Sequence, residues 1–151
     1  MASVDYSVLD HPNISMNSFY PRLIWTPTPE GAEDHDVAVA EGITLSCRFF
    51  PVDKVNPTIL FFYGNGETVA DYDNIAPLYN RIGINFFVAD YRGYGGSGGF
   101  PTFSDMLSDA HQVLGYLRNI LVAGQSADQV VVMGRSMGRH PAFELAATKS
   151  V

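Results

Sequence analysis

The chain has 151 residues, enough for one domain with a real core and too few for two ordinary ones. Hydrophobic residues make up 46% and charged residues 17%, which excludes a disordered tail. The net charge of −7 argues against nucleic acid or an anionic membrane as main partner, and the single cysteine, Cys47, excludes an intrachain disulfide.

Residues 1–35 carry Pro12, Pro21, Pro27 and Pro29 and read as an irregular arm laid over a domain of residues 36–151. The N-terminus has neither a basic region nor an apolar core of the signal-peptide kind. No apolar run approaches the roughly 18 residues of a membrane span. With one cysteine, these features lead us to expect a cytoplasmic protein.

Periodic structure starts near Asp36. Val37–Ala40 and Ile43–Phe49 flank Glu41-Gly42 and predict a β-hairpin. Thr58–Tyr63 is continuously apolar, as in a strand buried on both faces of a parallel sheet. Ile75, Leu78, Tyr79 and Ile82 fall at helical spacing before Gly83. Ile84–Asp90 reads as a second buried strand running into a glycine-rich loop, Tyr91 to Gly99. Thr102 and Asp105 then form a capping-box-like start. The stripe behind it contains Phe103, Met106, Leu107, Ala110, Val113, Leu114, Leu117 and Leu121. Gln129–Met133 is a third apolar strand, followed by a helix from Met137. A hairpin followed by β-α-β-α-β-α predicts an α/β sandwich, its mostly parallel sheet covered by helices on both faces.

The third strand ends in Gly134-Arg135-Ser136-Met137-Gly138, a G-x-S-x-G pattern between strand and helix. That is the context of a nucleophile elbow, where a sharp turn presents the serine and the helix N-terminus faces a developing oxyanion. Acyl transfer also needs an oxyanion hole. The Met137 amide, next after the serine, and the Asn65 amide, in the loop Tyr63-Gly64-Asn65-Gly66-Glu67, are the candidate donors. Gly93–Gly98 formally matches G-x-G-x-x-G, but Gly99-Phe100-Pro101 separates it from the next helix, so we read it as a structural turn with Asp90 and Arg92 paired locally.

Three segments, Tyr-Gly-Asn-Gly-Glu at 63–67, Asp-Tyr-Arg-Gly-Tyr-Gly at 90–95 and Gly-Arg-Ser-Met-Gly at 134–138, occur in the order found in α/β hydrolases. From about Asp36 to Ala147 the chain resembles that superfamily, in its serine-hydrolase branch of esterases, thioesterases and peptidases. The resemblance implies a small acyl substrate, Ser136 as nucleophile and no cofactor; no metal-ligand spacing is present either. The family's first motif usually begins with His, where this chain has Tyr63. The family also runs Ser…Asp/Glu…His, yet only Glu144 and His140 lie near after Ser136, in reverse order. An elbow serine points away from its following helix, so His140 is expected at the surface and His111 packed or exposed. His11 and His35 are left in the arm. Asp105 and Asp109 are expected on a solvated helix start. Pro141 is expected to kink the last helix or cost it a hydrogen bond. The chain therefore reads as the N-terminal half of a hydrolase, its later strands missing and its third strand left as an apolar edge that invites self-association. The alternative is a non-catalytic, degenerate hydrolase fold that binds a ligand or partner.

Overall fold

A computed structural model describes residues 5–148. Five strands, β1 (Glu33–Ala40), β2 (Ile43–Phe50), β3 (Thr58–Phe62), β4 (Asn85–Ala89) and β5 (Val130–Gly134), form one sheet in the order β1-β2-β4-β3-β5. β2 runs antiparallel to both of its neighbours, β1 and β4, whereas β4, β3 and β5 run parallel. This is an α/β sandwich, as the element order implied. Every residue of β3 and β4 is buried, which explains their unbroken hydrophobicity. β5 is only partly buried because it is an edge strand, with Val131 55% exposed.

Adjacent residues of β4 show how the layers form. Successive side chains of a strand point to opposite faces. Phe86 packs on Phe61, Tyr72 and Tyr79, the last of these in α2 (Ala76–Asn80). Phe87 turns the other way, to Phe49 and His35. His35 in turn meets Tyr116 of α3 (Phe103–Ala123). Burying each phenylalanine contributes on the order of 2–3 kcal/mol.

α3 starts where its cap predicts: the Thr102 hydroxyl accepts the Asp105 amide at 3.1 Å. Of the expected stripe, all but the partly buried Phe103 lie in the core. Asp109 corrects the reading of a solvated helix start. It is buried and takes the Arg92 guanidinium at 2.7 and 2.8 Å, while Asp105 takes the same group at 3.0 Å. Arg92 therefore does not pair with Asp90; two carboxylates one helical turn apart hold it instead.

The helix read from Ile75 to Ile82 is short, and its stripe faces outward, with Ile75, Leu78 and Ile82 exposed. Asn80 ends it by donating its side-chain amide to the carbonyls of Phe50 and Ile84. The N-terminal arm is more ordered than its prolines suggest. His11 caps a short helix, α1 (Pro12–Ser18), and β1 begins at Glu33 rather than near Asp36. The fully buried Arg48 of β2 ties the arm down through Asp34, Asp73 and the hydroxyl and carbonyl of Thr26, and lies 4.7 Å from the Trp25 ring centre. Among the described residues, no helix is long and apolar enough to cross a membrane.

Candidate functional site

The 134–138 segment leaves β5 through Arg135 in an extended conformation, and Ser136 then takes a left-handed φ of 51°. Non-glycine residues rarely adopt that region, at a cost of order 1 kcal/mol. A 3₁₀ turn, Ser136–Gly138, leads into α4 (Arg139–Ala147). The glycines are required by closeness. A Cβ on Gly134 would lie 2.2 Å from the Gly138 carbonyl oxygen, and one on Gly138 would lie 2.0 Å from the Phe62 carbonyl oxygen. The same Phe62 oxygen accepts the Arg135 amide at 3.0 Å, which fixes the turn to the end of β3. Ser136 is exposed. α4 runs unbroken through Pro141. This proline sits in the first turn, where the N–H it lacks has no acceptor within that helix.

The loop after β3 meets this turn. A Cβ at Gly64 would come 3.3 Å from Ser136 Cβ, so the loop backbone lies directly against the serine. Glu67 closes the loop by accepting the Gly64 amide at 2.6 Å and the Tyr72 hydroxyl at 3.2 Å, and it pairs with Arg135. Burial and the Glu67 carboxylate push the Tyr72 phenol up, and Glu67 raises the Arg135 guanidinium. Sequence reasoning did not mark Glu67. Its spacing of three from Gly64 is the only signal, and many short loops share it.

Asn65 stands on the other side of the loop. Its side-chain amide donates to the Ser18 carbonyl at 2.6 Å, and its carbonyl accepts the Tyr94 hydroxyl at 2.6 Å and the Tyr20 amide at 3.0 Å. Below the loop, Asp90 Oδ1 accepts the Tyr63 hydroxyl at 2.7 Å and the Val69 amide at 2.9 Å. Burial lifts the Asp90 carboxyl to about 6, against the opposing pull of those donors. Tyr63, Tyr91 and Tyr94 are pushed up by burial, Tyr94 to about 12. The glycine-rich 93–98 loop spends its amides on the protein itself: Gly95 N–H donates to the Arg22 carbonyl, Gly96 N–H to Asp90 Oδ2 and Gly98 N–H to the Thr44 carbonyl. Gly93 N–H donates to the Gly98 carbonyl and Ser97 N–H to that of Tyr94.

Among the described residues, no hydrogen bond engages the Ser136 hydroxyl, from a histidine or any other group. His111 Nε2 lies 3.3 Å from Glu144, and His35 Nδ1 lies 3.0 Å from the Tyr116 hydroxyl. His11 caps α1, and His140 is exposed with its ring perpendicular to that of Phe103. Among the described residues, no group of three or more His, Cys, Asp or Glu side chains could hold a metal ion.

Comparisons with known proteins agree with this architecture. The uncharacterized protein YfhR of Salmonella typhi is 27% identical over 134 residues, covering 84% of this chain and 45% of its own length. The human α/β hydrolase domain-containing protein 17B is 31% identical over 110 residues, covering 72% of this chain and 38% of its own. Among solved structures, an esterase of Pyrococcus furiosus, Pf2001, superposes with a TM-score of 0.69 at 20% identity, over 83% of this chain and 52% of that one. The chain thus spans about half the length of the relatives it matches first. The Hydrolase_4 family, serine aminopeptidase S33, matches residues 53–150, which include β3, the loop behind it and the Ser136 turn. By that match and that fold, the chain belongs to the serine aminopeptidase S33 family of α/β hydrolases.

Proposed function

We propose that Ser136 is the nucleophile of a serine hydrolase acting on a carboxylic ester, thioester or amide, with the Met137 and Asn65 amides as oxyanion donors. The observation that carries this reading is the left-handed Ser136, set between two glycines that admit no Cβ and against the Gly64 backbone. A conformation of that cost persists where the surroundings over-determine it, and such strain clusters at reactive positions.

In this reading Ser136 Oγ attacks the carbonyl carbon and the π electrons move to oxygen. The two amides stabilise that oxyanion, which is worth ~3 kcal/mol per donor at sites of this kind. Collapse expels the alcohol, thiol or amine, and water then releases the acyl group from Ser136. The hydroxyl needs a general base to lose its proton. We assign that base, and its orienting acid, to groups outside residues 5–148.

A fluorophosphonate probe on the whole protein, with the segment that supplies this base and acid included, tests the proposal. Circular dichroism establishes folding, and Ser136→Ala is the control. One label per chain, lost in the variant, is expected. A folded chain that stays unlabelled favours the second reading, a non-catalytic hydrolase fold. That alternative is motivated by the engagement of His111 with Glu144 and the unengaged Ser136 hydroxyl.

A further inference from the structure

The N-terminal arm does more than cover the domain. At Ser18–Arg22 it runs along the loop that lies against Ser136, and it is bonded to that loop at successive residues. The Asn65 carboxamide spans Ser18 and Tyr20, giving its N–H to the Ser18 carbonyl at 2.6 Å and taking the Tyr20 amide at 3.0 Å. It thereby imitates a backbone bridge between two strands. Gly66 follows, and its carbonyl accepts Arg22 Nη1 at 3.0 Å. The same nitrogen meets Asp71 at 2.8 Å, and the Arg22 carbonyl accepts the Gly95 amide at 2.8 Å. Phe19, between them, is buried against Phe103 at a ring distance of 5.0 Å. The fully buried Tyr94 completes the joint, giving its hydroxyl proton to Asn65 at 2.6 Å and lying 3.0 Å from the Tyr20 amide.

We infer that Ser18–Arg22 is a built-in clamp on the 63–67 loop, and that the Asn65 side chain is the positioning group through which the arm fixes the Asn65 peptide. The chemistry of the joint is specific. Asn65 uses one donor and one acceptor on the same planar group, which an ionised carboxylate, an acceptor only, cannot supply. A carboxylate of identical shape would face the Ser18 carbonyl with a second acceptor and leave it unpaired. On the far side, Glu67 holds Gly64 and Arg135. The loop is thus gripped from the arm at Asn65 and Gly66 and from the turn at Gly64. That grip gives the loop backbone one position relative to Ser136. A displacement of about 1 Å at such a donor is enough to cost on the order of a hundredfold in rate.

The rate part of this inference rests on the proposed role of the Asn65 amide; the clamp itself does not. Amide hydrogen exchange of the whole chain therefore decides the clamp, and fluorophosphonate labelling decides its consequence. Asn65→Asp and Arg22→Ala are compared with the parent protein, and folding is followed by circular dichroism. In both variants the 63–68 amides are expected to exchange at least tenfold faster, while β3 and β4 keep their protection. Labelling of Ser136 by Asn65→Asp is expected to slow by tenfold or more, with probe affinity little changed. Arg22 is a surface residue, so its variant reads the clamp even if Asn65→Asp folds poorly. Unchanged exchange at 63–68 in Arg22→Ala and in a folded Asn65→Asp would overturn the clamp. An unlabelled parent protein whose variants still exchange faster would remove the hydrolase reading and leave the clamp standing.

Discussion

One oxygen of Asp90 accepts both the Tyr63 hydroxyl, at 2.7 Å, and the Val69 amide, at 2.9 Å. The two donors bracket the loop that lies against Ser136, so a buried carboxylate at the end of β4 ties its two ends together. Tyr63 stands where the wider superfamily usually has a histidine, and here the phenol reaches down to Asp90.

That carboxylate makes stability depend on pH in a definite direction. Its native value of about 6 stands above the ordinary 3.8, so the folded chain holds the proton more tightly than the unfolded chain. Its contribution is complete below about pH 4, falls as pH rises through 6, and stays low above. The difference corresponds to about 3 kcal/mol. Urea denaturation of the parent and Asp90→Asn should show their stability difference moving by about 2–3 kcal/mol against the parent between pH 4 and pH 7. A constant difference would mean that Asp90 does not titrate in this range.

Arg48 predicts the response of the arm. Replacing it with methionine leaves the Asp34 and Asp73 carboxylates without their cation, a loss expected to cost about 3 kcal/mol or more. Lysine should not restore it, since Arg48 donates from three nitrogens in a fixed fork. Trp25, the single tryptophan, stacks on this guanidinium, so its fluorescence reports the arm directly. A red shift in Arg48→Met with retained helix signal is the expected result.

The left-handed Ser136 predicts an unusual pair of variants. Ser136→Gly should raise stability by about 1 kcal/mol, because glycine adopts φ 51° without strain. Ser136→Ala should leave stability within about 0.5 kcal/mol of the parent. Gly138→Ala should be strongly destabilising, since its methyl would meet the Phe62 carbonyl. Thermal melts of the three variants check the order, and a Ser136→Gly protein no more stable than the parent would deny the strain.

The β5 edge predicts self-association. Val131 is 55% exposed on a strand with one side unpaired among the described strands. Sedimentation of the parent should shift to larger species with concentration, and Val131→Lys should suppress the shift. A monomeric parent at high concentration would contradict this expectation.

Elements whose neighbours are all in the sheet were legible from hydrophobicity alone. Thr58–Phe62 and Asn85–Ala89 are unbroken apolar runs because both their faces are covered. The α3 stripe was legible for the same reason, as was its Thr102 cap. What escaped were relationships set by tertiary reach. Arg92 chooses Asp105 and Asp109 across the chain over its neighbour Asp90. Ile75 and Ile82 have helical spacing but sit where no described layer covers them. At the candidate site, the Gly-x-Ser-x-Gly pattern announced the tight turn, because the clash each glycine avoids is local. Glu67, the Asn65 joint and the Tyr63–Asp90 bond depend on contacts 3 to 47 residues apart, which no local pattern encodes.

The Phe86–Phe87 pair has a consequence for how the sheet assembles. The two rings are the same size and equally apolar, so composition cannot tell their faces apart; register alone does. If β4 slipped by one residue against β2 and β3, Phe86 would turn toward Tyr116 and Phe87 toward Tyr79. Hydrophobic burial would hardly change, yet Asn85 would lose its place under the carbonyls of Asp53 and Asn56, to which it donates at 2.8 and 3.0 Å. A polar residue at the strand's end thus acts as the alignment pin for a strand whose greasy middle would accept either setting.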